Sequence, residues 1–318
     1  MKSIDSDPES HRKVLSSAPL VHTYSIVARD AATGQLGVAV QSHFFSVGSA
    51  VTWAEAGVGA VASQAFSDPA YGKLGLDLMR AGRSGPDALA GLVASDPARE
   101  VRQVAMVDGQ GRVAAHTGRT TIPEAGHIVG DGFSAQANMM LTNSVWSAMA
   151  EAFRAASGEL VDRMVAALDA AEAEGGDIRG RQSAAILVVE GTSTGRPWDD
   201  TIFNLRVDDA VEPLLEIRRL VSLRRAYIHH RRAQAAIDRG DLDGVEREFA
   251  AAEKLIGDNP EMRYWHAIAL LRLGKIDDGL AILAAVAARD RNWAELTLRL
   301  PFLPRDAVLT ERIQKLLK

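Results

Sequence analysis

The chain reads as an α+β domain of two packed sheets covered by helices, followed by an all-α region, and three observations predict it. Short β-branched runs recur at hairpin spacing up to residue 207, and helix-length apolar patterns stand in pairs between them. Beyond Pro213 every apolar pattern has helical spacing. The order of paired strands, paired helices, several strands, paired helices and strands suits two packed sheets better than a doubly wound parallel sheet. The 318 residues accommodate one large domain and a smaller one, because single cores stop growing at roughly 250 to 300 residues.

Thr23–Arg29 (TYSIVAR) is β-branched and aromatic; Asp30–Gly34 is a turn and Leu36–Val40 a second apolar run, together a hairpin. A Gly- and Ala-rich stretch leads to a strand over Val58–Ser63 and to helices over Tyr71–Ala81 and Pro86–Ala94. Arg102–Asp108 and Arg112–Thr117 form a second hairpin around Gly109-Gln110-Gly111, followed by strands at His127–Val129 and Phe133–Met139. Helices over Asn143–Ala156 and Glu159–Glu174 precede strands at Gln182–Val189 and Thr201–Val207.

In the helical region Gly240 and Gly274 stand 34 residues apart, and the same offset carries Leu242 to Ile276, Phe249 to Leu283 and Ala252 to Val286. A 34-residue helix–turn–helix period predicts a tetratricopeptide-like repeat, and a plain pair of helical hairpins is the alternative. Two copies need neighbours to bury their faces, so the helix over Val211–His230, the segment Trp293–Leu303 and the last helix are expected to cap them.

Composition narrows the function. Hydrophobic residues make up 47% and charged residues 24%, ordinary globular usage, and the net charge of −5 gives no attraction to nucleic acid or anionic membranes. The absence of cysteine removes disulfides, Cys-type zinc sites, iron–sulfur clusters and thiol nucleophiles. The first twenty residues hold no apolar run of signal-peptide length, so a cytoplasmic protein is expected. No apolar run of about 18 residues occurs, so no membrane span is expected. Of the eight histidines, His116 and His127 flank a hairpin connection, but no HExxH or His–carboxylate spacing accompanies them. No metal or cofactor is therefore expected. Nor is there a phosphate-cradling GxxxxGK[ST] or GxGxxG.

The stretch TYSIVARDAATGQLGVAVQSHFFSVGSAV, with AGVGAVASQAF, Asn138-Met139 and GDIRGRQSAAILVV, resembles domain-of-unknown-function family 1028. That bacterial family is placed in the superfamily of hydrolases that use an N-terminal nucleophile. The resemblance spans about Thr23–Asp209 and implies a four-layer αββα sandwich. It divides the chain into an extension or propeptide (1–22), the sandwich (23–209) and the helical domain (210–318). It also implies a mechanism in which the first residue of the mature chain, Thr, Ser or Cys, attacks an amide carbonyl. Its own α-amine, with an ordinary pKa of about 7.7 to 8.0, accepts the hydroxyl proton. The matching residue is Thr23, which requires cleavage after His22.

Around it, Ser25 shares a strand face with Thr23 and is a candidate proton shuttle, or an ordinary strand hydroxyl. Gln41 and Ser42 end the second strand, as substrate hydrogen-bonding groups or as local turn residues. Asn138 is a candidate oxyanion donor or a buried structural amide, and Gln64 has the same two readings. Asp177, Arg179, Arg181 and Ser183 lie where they could orient a substrate carboxylate or the α-amine; an internal Asp–Arg pair is the alternative. Arg218, Arg225 and Arg232 make a basic stripe on one helix, read as a solvated or docking face rather than a nucleic-acid site.

The expected function is amide-bond hydrolysis of a small or peptide-like substrate. The alternative is a catalytically silent binding or assembly module whose repeats dock a protein partner. Self-association into a homo-oligomer is expected in either case.

Overall fold

The computed structural model describes residues 20–257, 259–303 and 306–317, so of the expected 22-residue extension only the last three residues lie within the described part. The chain divides into two compact units, Met1–Arg219 and Leu220–Lys318. This division falls ten residues beyond the expected boundary at 209/210. The physical reason is that the helix opening at Pro213 begins on the first unit. There Leu214 and Ile217 are buried and Arg218, from the expected basic stripe, pairs with Asp169.

Strand-forming sequence in the first unit is gathered into two antiparallel sheets. One contains β1 (Leu20–Val21), β4 (Thr52–Glu55), β5 (Gly59–Phe66), β6 (Arg102–Asp108) and β7 (Val113–Thr117). Its order is β1-β5-β6-β7, with β4 on the same edge of β5 that β1 extends. The other contains β2 (Thr23–Arg29), β3 (Leu36–Ser42), β8 (Gly126–Gly130), β9 (Phe133–Ala137), β10 (Ser183–Val189) and β11 (Thr201–Val207), ordered β11-β10-β3-β2-β9-β8.

Alternation along the strands produces the layers. Val27, Val38, Val40, Ala60, Ala62, Ala105 and Val107 are wholly buried in one apolar cluster between the sheets. The opposite phase of the first sheet, Val61, Val104 and Met106, meets Tyr71, Leu76, Met79 and Leu89. These lie on α1 (Pro69–Arg80) and α2 (Gly85–Ser95), each opened by a side-chain cap, Asp68 or Ser84, and by a proline in the first turn. The second sheet is covered by α3 (Val145–Ala155) and α4 (Leu160–Ala173), with Phe153 packed on Phe133 at a centroid distance of 4.7 Å. Burying one such side chain contributes about 1.5–3 kcal/mol.

The hairpin over β2 and β3 is regular and pairs Thr23 with Ser42 and Tyr24 with Gln41, while β10 adds Ser183 opposite Ser42. One face at the strand ends therefore carries the row Thr23, Ser42, Ser183.

The second unit is helical: the end of α5 (Pro213–Asp238), α6 (Leu242–Ile256), α7 (Pro260–Arg272), α8 (Ile276–Ala287), α9 (Asn292–Arg299) and α10 (Ala307–Lys315). The 34-residue spacing of Gly240 and Gly274 reappears as two left-handed helix ends, with φ of 69° and 78°. The cores of the unit are built on Phe249 with Val245 and Ala269, and on Tyr264 with Leu271, Leu283 and Val286. No helix among the described residues is long and apolar enough to cross a membrane.

Candidate functional site

At one end of the interface between the sheets the apolar phase gives way to amides and hydroxyls. Ser25, Gln64, Gln103, Gln136, Ser134 and Asn138 are all 0% exposed, as is Thr23. Buried polar groups are costly unless hydrogen-bonded, and these satisfy one another. Ser134 donates to Gln136 Oε1 at 2.8 Å and Gln136 Nε2 to Ser25 Oγ at 2.7 Å. Ser25 donates to Gln64 Oε1 at 2.6 Å, and Gln64 Nε2 to Gln103 Oε1 at 2.6 Å. Asn138 Nδ2 reaches the same Gln103 oxygen at 2.9 Å. Gln103 Nε2 is anchored on Ala137 O at 2.8 Å and Thr117 Oγ1 at 2.9 Å.

This network holds the backbone of Thr23. Its carbonyl receives Asn138 N at 3.1 Å, Gln64 Nε2 at 3.2 Å and Asn138 Nδ2 at 3.4 Å. Its hydroxyl donates back to Val21 O, two residues earlier in the chain, at 3.0 Å.

The carbonyl of the peptide that joins His22 to Thr23 is equally well defined. Ser42 Oγ donates to His22 O at 2.5 Å and Arg179 Nη2 at 2.9 Å. Arg179 is aimed by Asp177, whose carboxylate accepts Arg179 Nε at 3.0 Å, Nη2 at 2.7 Å and N at 2.9 Å, and also the His43 amide at 3.1 Å. The His22 ring is buried edge-on against Phe66, at 5.9 Å between centroids, with Nδ1 at 2.7 Å from Asn138 Oδ1. Because the Asn138 amide nitrogen is committed to Gln103, that oxygen accepts and Nδ1 carries the proton. Burial holds the imidazole below its ordinary pKa, with the Arg179 charge adding to the effect and the Asn138 contact opposing it. Two of the residues with positive φ, Ala65 (65°) and Met139 (60°), border this site, a backbone strain that concentrates where function over-determines geometry.

Eight of the ten residues singled out in the sequence fall on or beside this end of the sheets, Asp177 and Arg179 among them. Thr23, Ser42 and Ser183 share the row described above, with Ser183 accepting Val47 N at 3.0 Å and donating to Phe44 O. Ser25 and Gln64 belong to the network, although Ser25 bonds to Gln64 and Gln136 rather than to the Thr23 hydroxyl. Asn138 is beside Thr23, but its donors go to Gln103 and the Thr23 carbonyl; the groups on the His22 carbonyl are Ser42 and Arg179.

Gln41 and Arg181 lie elsewhere, on the other face of the sheet. Gln41 meets the Tyr24 hydroxyl, which also donates to Glu172 Oε2 at 2.6 Å, and Arg181 binds Glu172 at 2.5 Å and Glu212. Burial and the Glu172 charge push the Tyr24 hydroxyl far above its ordinary pKa, so it remains a neutral donor. Gln103, Gln136 and His22 were not singled out. For Gln103 the available signal was a Gln in the apolar phase of a strand, in step with Ala105 and Val107, whereas Gln136, on a wholly buried strand, is in step with Ser134 and Asn138.

His116 Nε2 lies 2.8 Å from Arg99 O and His127 Nδ1 2.8 Å from Thr117 Oγ1; among the described residues no group of His, Asp and Glu is arranged to hold a metal ion.

The sequence pattern of DUF1028, a family of unknown function, matches residues 23–217, and the chain belongs to that family. Among solved structures it is similar to protein SPO2555 from Silicibacter pomeroyi, a crystal structure of the same family. The two are 33% identical, the likeness covers 63% of this chain and 88% of that chain, and the TM-score is 0.57. No curated protein matches the chain.

Proposed function

We propose that this protein is an amide-bond hydrolase of the N-terminal-nucleophile type, with a four-layer αββα sandwich, and that it frees Thr23 by cutting its own chain after His22. The observation that carries the reading is the His22 carbonyl. It receives a hydroxyl and a guanidinium at 2.5 Å and 2.9 Å, and the residue on the other side of the same peptide bond is the hydroxyl-bearing Thr23. Donors placed where charge develops are the commonest large contribution to acyl transfer. In this reading Thr23 Oγ1 adds to the His22 carbonyl carbon and the C–N bond breaks. The hydroxyl proton passes to the Thr23 nitrogen, and water hydrolyses the resulting ester to a His22 carboxylate and a free threonine. The liberated α-amine then serves as the base for a substrate amide. The family match that begins at Thr23, and two facing sheets with helices on their outer faces, also support it.

Intact mass and N-terminal sequencing of the purified full chain test it. The wild-type chain is expected to begin at Thr23 and Thr23→Ala to stay whole. A wild-type chain that also stays whole sinks the reading.

A second reading concerns the helical unit, taken as a tetratricopeptide-like module that docks a protein partner. It rests on a hollow of about 290 Å³ lined by Trp265, Ile268 and Phe302, with Arg272 over the Phe302 ring at 5.4 Å. Removing residues 220–318 should then abolish association in a pull-down; association that survives removal places the docking surface elsewhere.

A further inference from the structure

Residues 20–22 fill an acceptor built for an extended peptide. Leu20 and Val21 pair antiparallel with Phe66 and Ala65 on the edge of β5. Val21 is wholly buried in the apolar cluster between the sheets. The next side chain, His22, turns into a separate recess with Phe66 as its floor and Asn138 as its hydrogen-bonding wall. Its carbonyl ends on Ser42 and Arg179. Main-chain pairing with alternate side-chain pockets is how a sheet edge recognises a strand. Among the described residues the buried His22 Nε2 atom has no hydrogen-bond partner, so the recess leaves one polar atom of this segment unmatched, as suits a peptide that departs after cleavage.

Chemistry links this groove to turnover. Self-cleavage, on the nucleophile reading above, passes through an ester of the His22 acyl group on Thr23 Oγ1. Hydrolysis of a substrate passes through an ester of its acyl group on the same oxygen. The two species differ only in which peptide supplies the acyl chain. We infer that the groove vacated by residues 20–22 is the acyl-side subsite of the mature enzyme. Its substrate is a peptide laid as a short antiparallel strand on β5, with a compact apolar residue in the place of Val21 and a hydrogen-bonding side chain in the place of His22. This assignment rests on the nucleophile reading. In turnover the Thr23 oxygen bonds the peptide carbonyl carbon, and the C–N bond breaks. The proton passes through the Thr23 amine to the departing amine, and water then releases the new carboxylate.

The test uses the full chain after gel filtration to remove any released segment, with Thr23→Ala as the closed control. The probes are coumarin amides of acetyl-Pro-Leu-Val-His, which repeats residues 19–22, of acetyl-Pro-Leu-Asp-His, and of acetyl-His alone. The first is expected to be cleaved with a kcat/KM higher than either of the others by roughly tenfold or more. A fluorescein-labelled Pro-Leu-Val-His acid is expected to bind the cleaved chain and not Thr23→Ala, whose groove is occupied. If mass shows a chain cleaved before Thr23 that treats the three amides alike, the subsite assignment fails and the nucleophile stands. The same follows if that chain binds the peptide no better than Thr23→Ala. A wild-type chain that stays whole removes both.

Discussion

Among single side chains, Arg179 is set by Asp177 and in turn touches the His22 carbonyl, so the pair makes a graded prediction. Arg179→Met should slow release of the N-terminal segment by about 10² to 10³, the usual cost of losing one such donor. Asp177→Asn should slow it less, because the guanidinium stays but is no longer aimed. A time course of intact mass after synthesis reads both, and equal rates in all three chains would contradict the assignment. Gln103 makes a prediction about stability: Gln103→Leu removes the shared acceptor of Gln64 and Asn138, and leaving their donors buried costs about 1–3 kcal/mol, to be read by urea unfolding.

Thr23 and Asn138 were legible because the motif and the strand ends were. The pair Gln41-Ser42 was only half legible, since neighbours on a strand face opposite ways. The register Thr23↔Ser42 sends Ser42 to the site and Gln41 to Tyr24. Gln103 was missed because an amide in an apolar run has no local partner that explains it. Its partners come from β5, β7, β9 and the residue just beyond β9.

At the scale of elements, the strand β1 makes the protein sensitive to acid. Its neighbour His22 is held below the ordinary value of 6.5 by burial. Above that pH the ring is neutral both docked and free, and no proton is involved. As pH falls through it, the undocked segment takes up a proton that the docked one resists, so docking weakens. Thr23→Ala should therefore lose protection of Val21 between pH 7.5 and 5.5 in hydrogen exchange corrected for intrinsic rates, and Thr23→Ala with His22→Gln should lose much less. Two glycines make a contrasting pair. A methyl at Gly72 would stand 2.3 Å from the Trp53 ring and push α1 off β4, whereas Gly240 has nothing within 4 Å and only its positive φ to defend. Gly240→Ala should cost roughly 1–2 kcal/mol and Gly240→Asn less; equal losses in urea unfolding would argue against a purely conformational cause. Strand periodicity placed the elements well but stopped β5 at Ser63, three residues short of Phe66. It gave no sign of β1 or β4, which are short and draw their stability from the edge they join.

For the whole molecule, the family match ends at residue 217 and the first compact unit at Arg219. A chain ending at Arg219 should therefore fold cooperatively and cut itself at the full-length rate, checked by circular dichroism and mass; loss of cleavage would show that the helical unit takes part. The two-part division could be read from the change in periodicity at Pro213. What could not be read was the order of strands, because β10 enters beside β3 across more than a hundred residues of chain and no local pattern encodes that neighbour. The sealed seam of amides between the sheets has one more consequence. With Gln64, Gln103 and Asn138 bonded to one another, Gln136 joined to them through Ser25, and all four at 0% exposure, their carboxamide protons are shut away from bulk solvent. In an NMR spectrum those side-chain NH₂ pairs should persist after transfer to heavy water, and departure of residues 20–22 should quench the Asn138 pair first, so the molecule carries an isotopic clock for its own opening.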